Sequence, residues 1–312
     1  MRKRTIMAIG ILLISGIAIG AKLGEKITNN ITPNSVTTIA TGNQKVKQLT
    51  FNPPSMDHLP KGADGEEIHY GYQLVDSTND LLPENVGNNL SCSSCHAGAG
   101  LNENVSPLVG VSSTFPQYRP REGKEFTIED RINGCFLRSM NGQKLENDSK
   151  EMKAMVAYFD YISQGVPKNA NRPWAKPNSI DNLPVPNIND GKELYGTSCI
   201  SCHAADGSGT GANTGPALWG ENSFNDGAGL GRLSKMAGFI QNNMPIGQEN
   251  TLTDQQAADL AAYILSQERP VWKGHEGDWP KGGRPNDIIT KEKREQMRNG
   301  NINWDEVLKV NP

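Results

Sequence analysis

The sequence predicts a mainly α-helical protein made of two tandem copies of one small domain, with an extended C-terminal tail. Three observations predict it. A short cysteine/histidine motif occurs twice, as Cys92-Ser93-Ser94-Cys95-His96 and Cys199-Ile200-Ser201-Cys202-His203. Landmarks around the two copies recur at nearly one offset: 107 residues from Cys92 to Cys199, 109 from Pro107 to Pro216 and 105 from Tyr158 to Tyr263, the mark of a duplication. Each copy closes with a capped helical segment, while strand signals are poor throughout. The 312 residues suffice for about two domains at roughly 100–200 residues each. Apolar residues make up only 36%, against about 45–50% in typical counts that include glycine. The side chains alone therefore build a thin core, with room for a filler. Lys and Arg number 31 against 34 Asp and Glu, a net charge of −3, which argues against a nucleic-acid binder.

Taken in order, residues 1–21 begin with Arg2, Lys3 and Arg4, followed by an uncharged, mostly apolar run from Thr5 to Ala21. Ala18-Ile19-Gly20 is a small-x-small cleavage site. This is an export signal, either cleaved or retained as a membrane anchor, and it predicts a periplasmic or otherwise extracytoplasmic protein. The Asn/Thr/Pro-rich residues 22–60 read as a tether. The first domain runs over 61–166, a proline-rich linker over 167–186, the second domain over 187–270 and the tail over 271–312. In the first domain, Thr127 to Asp130 reads as a capping box that starts a helix through about Met140, with Gly142 as its stop. A second helix runs from Asp148 to about Ser163, where Asp148 and Glu151 form a box-like pair. Its counterpart in the second domain runs from Thr253 to about Gln267, boxed by Thr253 and Gln256.

C-x-x-C-H is the signature of covalent haem attachment. Two thiols add across the vinyl groups of one haem and the adjacent histidine ligates the iron. A zinc site would leave both histidines as coincidences, and a redox C-x-x-C sits near a βαβ pattern that is absent here. Cys92, Cys95 and His96 thus hold one haem c, and Cys199, Cys202 and His203 a second. Five cysteines cannot all pair within the chain, and Cys135 is the one not used in attachment.

A low-spin haem needs a second axial ligand. In the second domain Met244 lies 41 residues after His203 in Asn243-Met244-Pro245, and the proline keeps its backbone extended. Met236 is the rival, in a helix where methionine is more often core. The first domain has no Met-Pro step. The matching slot, 39 residues after His96, falls on Cys135, with Met140, His58 and His69 as rivals. A free cysteine is usually a small buried hydrophobe, yet an odd thiol in an exported chain stands out. Arg131, Cys135 and Ser139 lie at i, i+4 and i+8 on one helical face, with Arg138 at i+3 from the cysteine. Gly134 would let the backbone approach a haem closely. Arg119-Pro120-Arg121 lies just upstream. These arginines either pair with Glu122, Glu125, Glu129 and Asp130 as a solvated face, or converge over the thiolate to bind a multi-oxygen anion, for which the planar guanidinium fork is suited.

The sequence here resembles the dihaem thiosulfate dehydrogenases, which also act as tetrathionate reductases. The resemblance is carried by Asn88-Asn89-Leu90-Ser91-Cys92-Ser93-Ser94-Cys95-His96-Ala97-Gly98-Ala99-Gly100, by the run Glu129 to Gly142 around Cys135, and by Asn243-Met244-Pro245. It runs over about residues 60–285, and the segment around Cys135 is its specific part. It implies His96/Cys135 ligation at an active-site haem, His203/Met244 ligation at an electron-exit haem, and Arg121, Arg131 and Ser139 lining the substrate pocket. The implied reaction joins two thiosulfates into tetrathionate with release of two electrons, or runs in reverse, with an external redox partner such as a small cytochrome c. Two alternatives come from other classes: a non-catalytic dihaem electron carrier or oxidase subunit, and a cytochrome that joins thiosulfate to a carrier protein's cysteine.

The tail is blander. Trp272, His275 and Trp279 sit in a Gly/Pro-rich stretch expected to wrap a domain, with His275 at the surface. The highly charged residues 287–299 read as a solvated helix, and Tyr158 and Tyr263 as core.

Overall fold

The computed structural model describes residues 33–41 and 44–309. The leader read at 1–21 lies outside the described residues. Among those described there are ten helices: α1 Ala63–Asp76, α2 Thr78–Leu81, α3 Ile128–Arg138, α4 Lys150–Ile162, α5 Ile188–Ser198, α6 Ile200–His203, α7 Leu233–Asn243, α8 Asp254–Ser266, α9 Lys291–Arg298 and α10 Trp304–Val307. Two antiparallel hairpins, β1 Val36–Thr41 with β2 Gln44–Leu49 and β3 Gln117–Arg119 with β4 Lys124–Phe126, and five short 3-10 turns complete the inventory of the described residues.

The duplication is visible in how the first and last helices of each copy cross. α1 packs on α4 and α5 on α8. Each crossing is made at a glycine: a β-carbon on Gly71 would lie 1.9 Å from the Ala154 carbonyl oxygen, and one on Gly191 2.0 Å from that of Asp259. Only a hydrogen fits there. Ala154 and Asp259 are 105 residues apart, as are Tyr158 and Tyr263, so the closing helices superpose in register. Apolar residues of α1, α3 and α4 fill the first core, among them Leu74, Phe136, Met152 and Tyr158. Leu233, Met236, Leu260 and Leu265 fill the second with Tyr195. Tyr158 is fully buried and its hydroxyl donates to Ala99 O at 2.9 Å, so it is core as expected.

Local sequence chemistry sets the helix ends. Thr127 and Asp130 form the reciprocal cap of α3, and Thr253 and Gln256 that of α8. On α4 the cap is Ser149 rather than Asp148: its hydroxyl accepts from Met152 N at 3.1 Å. Asp148 is one residue too early to reach the third helical N–H.

Three connecting regions do more than connect. Of the residues read as a tether, Asn34 is completely buried; its amide donates to Ile162 O and Gln164 O and accepts from Asn52 N. Within the stretch read as a linker, Trp174 is buried and its indole donates to Val109 O at 2.9 Å, while Ile180 N donates to Ser234 O. The charged run 287–299 does form α9, but it is not a solvated helix. Arg294 is 0% exposed and bonds Asp226 Oδ2 at 3.0 Å, and Met297 joins the second core. A dense run of charge hides one buried face because composition counts charges without phasing them around the helix.

Candidate functional site

Each C-x-x-C-H segment ends in a turn that aims its histidine. His96 Nδ1 donates to Ser106 O at 2.6 Å and His203 Nδ1 to Pro216 O at 2.8 Å. A carbonyl only accepts, so Nδ1 carries the proton and Nε2 keeps a lone pair for a metal. Burial pushes the pKa of His96 down to about 4, and the Arg131 charge adds to this against the Ser106 bond; burial likewise lowers that of His203. Both imidazoles are thus kept neutral, the ligating form. The turn behind each histidine is the same. Leu108 N donates to Gly100 O and Leu218 N to Gly207 O, each at 2.9 Å, four residues past the histidine on the acceptor side. This matches Ser106 to Pro216 and Leu108 to Leu218, so pairing Pro107 with Pro216 slips by one residue.

In the second domain Cys199, Cys202, His203 and Met244 line one cavity of about 520 Å³ with Leu218 and Leu260. Met244 has an extended backbone at φ −130° and ψ 152°, as a residue before proline must. Met236 reaches the same cavity from α7 but is buried in the core. Cys95, Ala97 and Val105 of the first domain wall the far side, so the attachment loop of one module abuts the cavity of the other.

The first domain gathers charge. α3 presents Arg131 and Cys135 one turn apart, with Arg131 Nη1 2.7 Å from Cys135 Sγ. The Cys135 charge is felt at Cys92 and Cys95, and it is the largest influence holding Arg131 above its usual pKa. Arg131, Cys135, His96, Cys92 and Cys95 therefore share one small space. Of the rivals to Cys135, Met140 is buried in the core, and His58 and His69 are exposed. Ser139 caps α3, its N–H donating to Cys135 O. A β-carbon on Gly134 would meet only Phe126 at 3.9 Å, so protein packing does not demand a glycine there.

The remaining arginines are held by residues that local sequence does not reveal. Arg121 donates from Nε and Nη2 to Asp278 Oδ2 at 3.1 and 2.8 Å, and its guanidinium lies 4.8 Å over Trp279. Arg138 donates to both Asp278 oxygens at 3.0 and 2.9 Å and stacks 4.7 Å over Trp272. Glu122 approaches Arg138 at 3.6 Å and Arg119 at 3.8 Å. Arg119 also feels the charge of Cys135. Burial raises the pKa of Asp278, but its bonds to Arg121 and Arg138 outweigh this and leave the carboxyl below its usual value. The tail is in turn pinned to the second domain: Trp272 N and His275 Nε2 donate to the buried Asp226 Oδ1. His275 is thus largely buried and bonded, not a free surface residue. No cue in the sequence links Asp278 to arginines 140 and 157 residues away.

The donor set fits haem c in both domains: paired thiols and a neutral histidine oriented through Nδ1. Residues 83–167 match the family profile described as SoxA/TsdA, cytochrome c domain, and residues 188–268 match Cytochrome c. The thiosulfate dehydrogenase of Psychrobacter arcticus is 38% identical over 260 residues, covering 82% of this chain and 80% of that protein. That of Allochromatium vinosum is 41% identical over 236 residues, covering 72% and 86%.

The chain belongs to the thiosulfate dehydrogenase family.

A solved thiosulfate dehydrogenase from Marichromatium purpuratum, in its as-isolated form, superposes with a TM-score of 0.66 at 33% identity over 70% of this chain. The chain spans about half the length of that structure's chain, 50%. The present chain is mainly helical and carries two cytochrome c domains, which implies two covalent haem c groups.

Proposed function

We infer that this protein is a thiosulfate dehydrogenase: it joins two thiosulfate anions into tetrathionate and passes two electrons to an external acceptor. One observation carries the reading of the site. Arg131 Nη1 lies 2.7 Å from Cys135 Sγ, in the space shared with Cys92, Cys95 and His96.

His96 and Cys135 would hold the first haem iron, and His203 and Met244 the second. Each haem, when bound, would supply a one-electron acceptor, two in all for the two electrons that a new sulfur–sulfur bond releases. The chain's own residues do the rest. Arg131 binds thiosulfate through its guanidinium, and Arg121, whose Nε and Nη2 are held by Asp278, adds its remaining donor and its charge, so that both offset the repulsion between two dianions where their sulfurs meet. Ser139 adds a hydroxyl one turn beyond the cysteine. Cys135 Sγ bonds the terminal sulfur of the first thiosulfate, with loss of two electrons. The terminal sulfur of the second thiosulfate then attacks that same sulfur. Tetrathionate leaves and Cys135 returns as thiolate, the ordinary course of thiol–disulfide exchange.

A thiolate from Cys135 would favour ferric iron in the first domain, whereas a thioether from Met244 would raise the potential in the second. Electrons would then leave by the second domain to a partner such as a small cytochrome c. The same groups run backwards for tetrathionate reduction. The basic-then-apolar leader supports export to the periplasm. Among the described residues no helix is long and apolar enough to cross a membrane, so an anchor would be that leader.

The test is thiosulfate-dependent reduction of a small cytochrome c by the holoprotein, with tetrathionate and a reductant as the reverse arm. Electron paramagnetic resonance accompanies it, because thiolate ligation compresses the g-spread. A loaded protein that turns over neither substrate is an electron carrier instead. One that needs a carrier protein's cysteine belongs with the other sulfur-anion cytochromes.

A further inference from the structure

Ser106 occupies an unfavourable conformation. Its φ is +44°, in the left-handed region that a β-carbon disfavours. Its carbonyl is nevertheless the group that His96 Nδ1 grips at 2.6 Å. Such backbone persists only where the surroundings over-determine it, and here they come from outside the first domain. Ser106 N donates to Asn243 Oδ1 at 2.9 Å, and Ser106 Oγ accepts from Asn178 Nδ2 at 2.7 Å. The two amides are tied together: Asn243 Nδ2 donates to Asn178 Oδ1 at 3.1 Å and to Phe239 O at 2.7 Å. Asn243 is 2% exposed, so its orientation is fixed. Asn178 belongs to the segment between the domains, and Asn243 immediately precedes Met244.

The second module needs no such help. Pro216 supplies the corresponding carbonyl to His203, and its ring fixes φ covalently. The first module has serine where the second has proline, and three hydrogen bonds to residues outside its domain, the third from Ser106 Oγ to Asn243 Oδ1 at 3.4 Å, where the second has a pyrrolidine ring.

We propose that Asn178 and Asn243 are positioning residues that hold Ser106 in its left-handed turn, so that the redox poise of the first haem is set in part by the second domain. The proposal rests on His96 as ligand of that haem. A carbonyl accepting from Nδ1 makes Nε2 a stronger donor to iron. Stronger donation favours the ferric state and lowers the potential. Release of Ser106 weakens the bond to His96, and the first haem becomes easier to reduce. The second haem, whose histidine is held by Pro216, does not follow.

The experiment is a spectroscopic potential titration of both haems in the holoprotein. Asn178→Leu removes its hydrogen bonds with Ser106 and Asn243, and a longer one from Asn242, at similar volume. It lowers the ferric-to-ferrous ratio of the first haem about tenfold at the wild-type midpoint, a rise of about 59 mV for one electron. The midpoint of the second haem stays in place. Ser106→Gly added to Asn178→Leu restores most of the shift, because glycine enters positive φ freely. Asn178→Ser, too short to reach Ser106 Oγ, shifts the midpoint in the same direction and serves if the leucine variant does not fold. The proposal is overturned if the first midpoint is unmoved, if both midpoints move together, or if the glycine does not rescue. Hyperfine-shifted imidazole resonances of the wild type check the ligand separately. With His96 uncoordinated the proposal falls together with that assignment; with His96 coordinated and the midpoint fixed, it falls alone.

Discussion

Around Cys135 in the first domain stand Arg131 at 2.7 Å from its Sγ, Arg119 and, against Arg119, the Glu122 carboxylate. Around Met244 in the second stand Ile240, Leu252 and Leu260. The scaffolds beneath are the same, down to the glycine at each helix crossing and the hydrogen bond from leucine to glycine behind each histidine. A duplicated fold has thus kept its means of holding a haem and diverged around Cys135 and Met244. Guanidinium groups gather at the first, and aliphatic side chains pack at the second. An apolar wall keeps an electron-transfer centre from changing its solvation with charge. A guanidinium-lined wall invites a doubly charged reactant.

Exchanging the slots tests this contrast most severely. Cys135→Met makes the first module resemble the second. It should retain two haems and lose thiosulfate oxidation on the order of 10³-fold or more, as removal of a covalent nucleophile does. Full activity in that variant, with both haems loaded, would end the proposed chemistry. Arg131→Met keeps the sulfur and removes the cation beside it. Loss of one preorganised donor costs about 10²- to 10³-fold in kcat/KM, with little change at the second haem. An equal loss on neutralising Arg232, an arginine paired with Asp287 in the second domain, would mean that arginines matter to this fold in general.

The clamp from the tail sharpens the comparison further. Asp278→Asn leaves the haem sites intact but frees Arg121 and Arg138 from their shared carboxylate. The expected result is a KM for thiosulfate raised about tenfold, because misplaced binding groups cost that much or more. The haem spectra should be unchanged, and Asp278→Glu should recover part of the loss. If kcat falls instead while KM holds, Asp278 acts on chemistry rather than on binding.

What the sequence revealed, and what it hid, follows from distance along the chain. Both attachment motifs, the pairing of Arg131 with Cys135 one turn on, the extended Met244 and the caps at Thr127 and Thr253 are local patterns, and local patterns are written in nearby residues. The Asp278 clamp is not. Glu125, Glu129 and Asp130 lie within reach of the arginines in sequence, yet Arg121 and Arg138 bind an aspartate from the far tail, because tertiary packing decides which carboxylate arrives. Asn178 looked like linker chemistry for the same reason. Arg294 escaped notice because a single buried guanidinium among many solvated charges leaves no compositional trace. The slip between Pro107 and Pro216 arose because identical residue types suggested equivalence, whereas the carbonyl that serves the histidine is what the two copies share.

The smallest expected effect is on pH dependence, and it separates the two modules once more. Burial raises the pKa of Asp278, but the bonds from Arg121 and Arg138 overcome this and lower it. Asp226 behaves alike: burial raises it, and His275, Trp272 N and Arg294 lower it below its usual value. A carboxyl depressed in the folded state binds fewer protons there than in the unfolded chain. Its stabilisation is therefore complete above the ordinary carboxylate value of about 3.9 and is lost as pH falls through the depressed one. Acidification below about pH 4 should loosen the tail from the arginines of the first domain, and the KM for thiosulfate should climb a few-fold before either haem spectrum changes. Asp278→Asn should abolish that climb, since no proton remains to be taken up at that position. If the climb persists in the asparagine variant, its origin lies outside the Asp278 clamp.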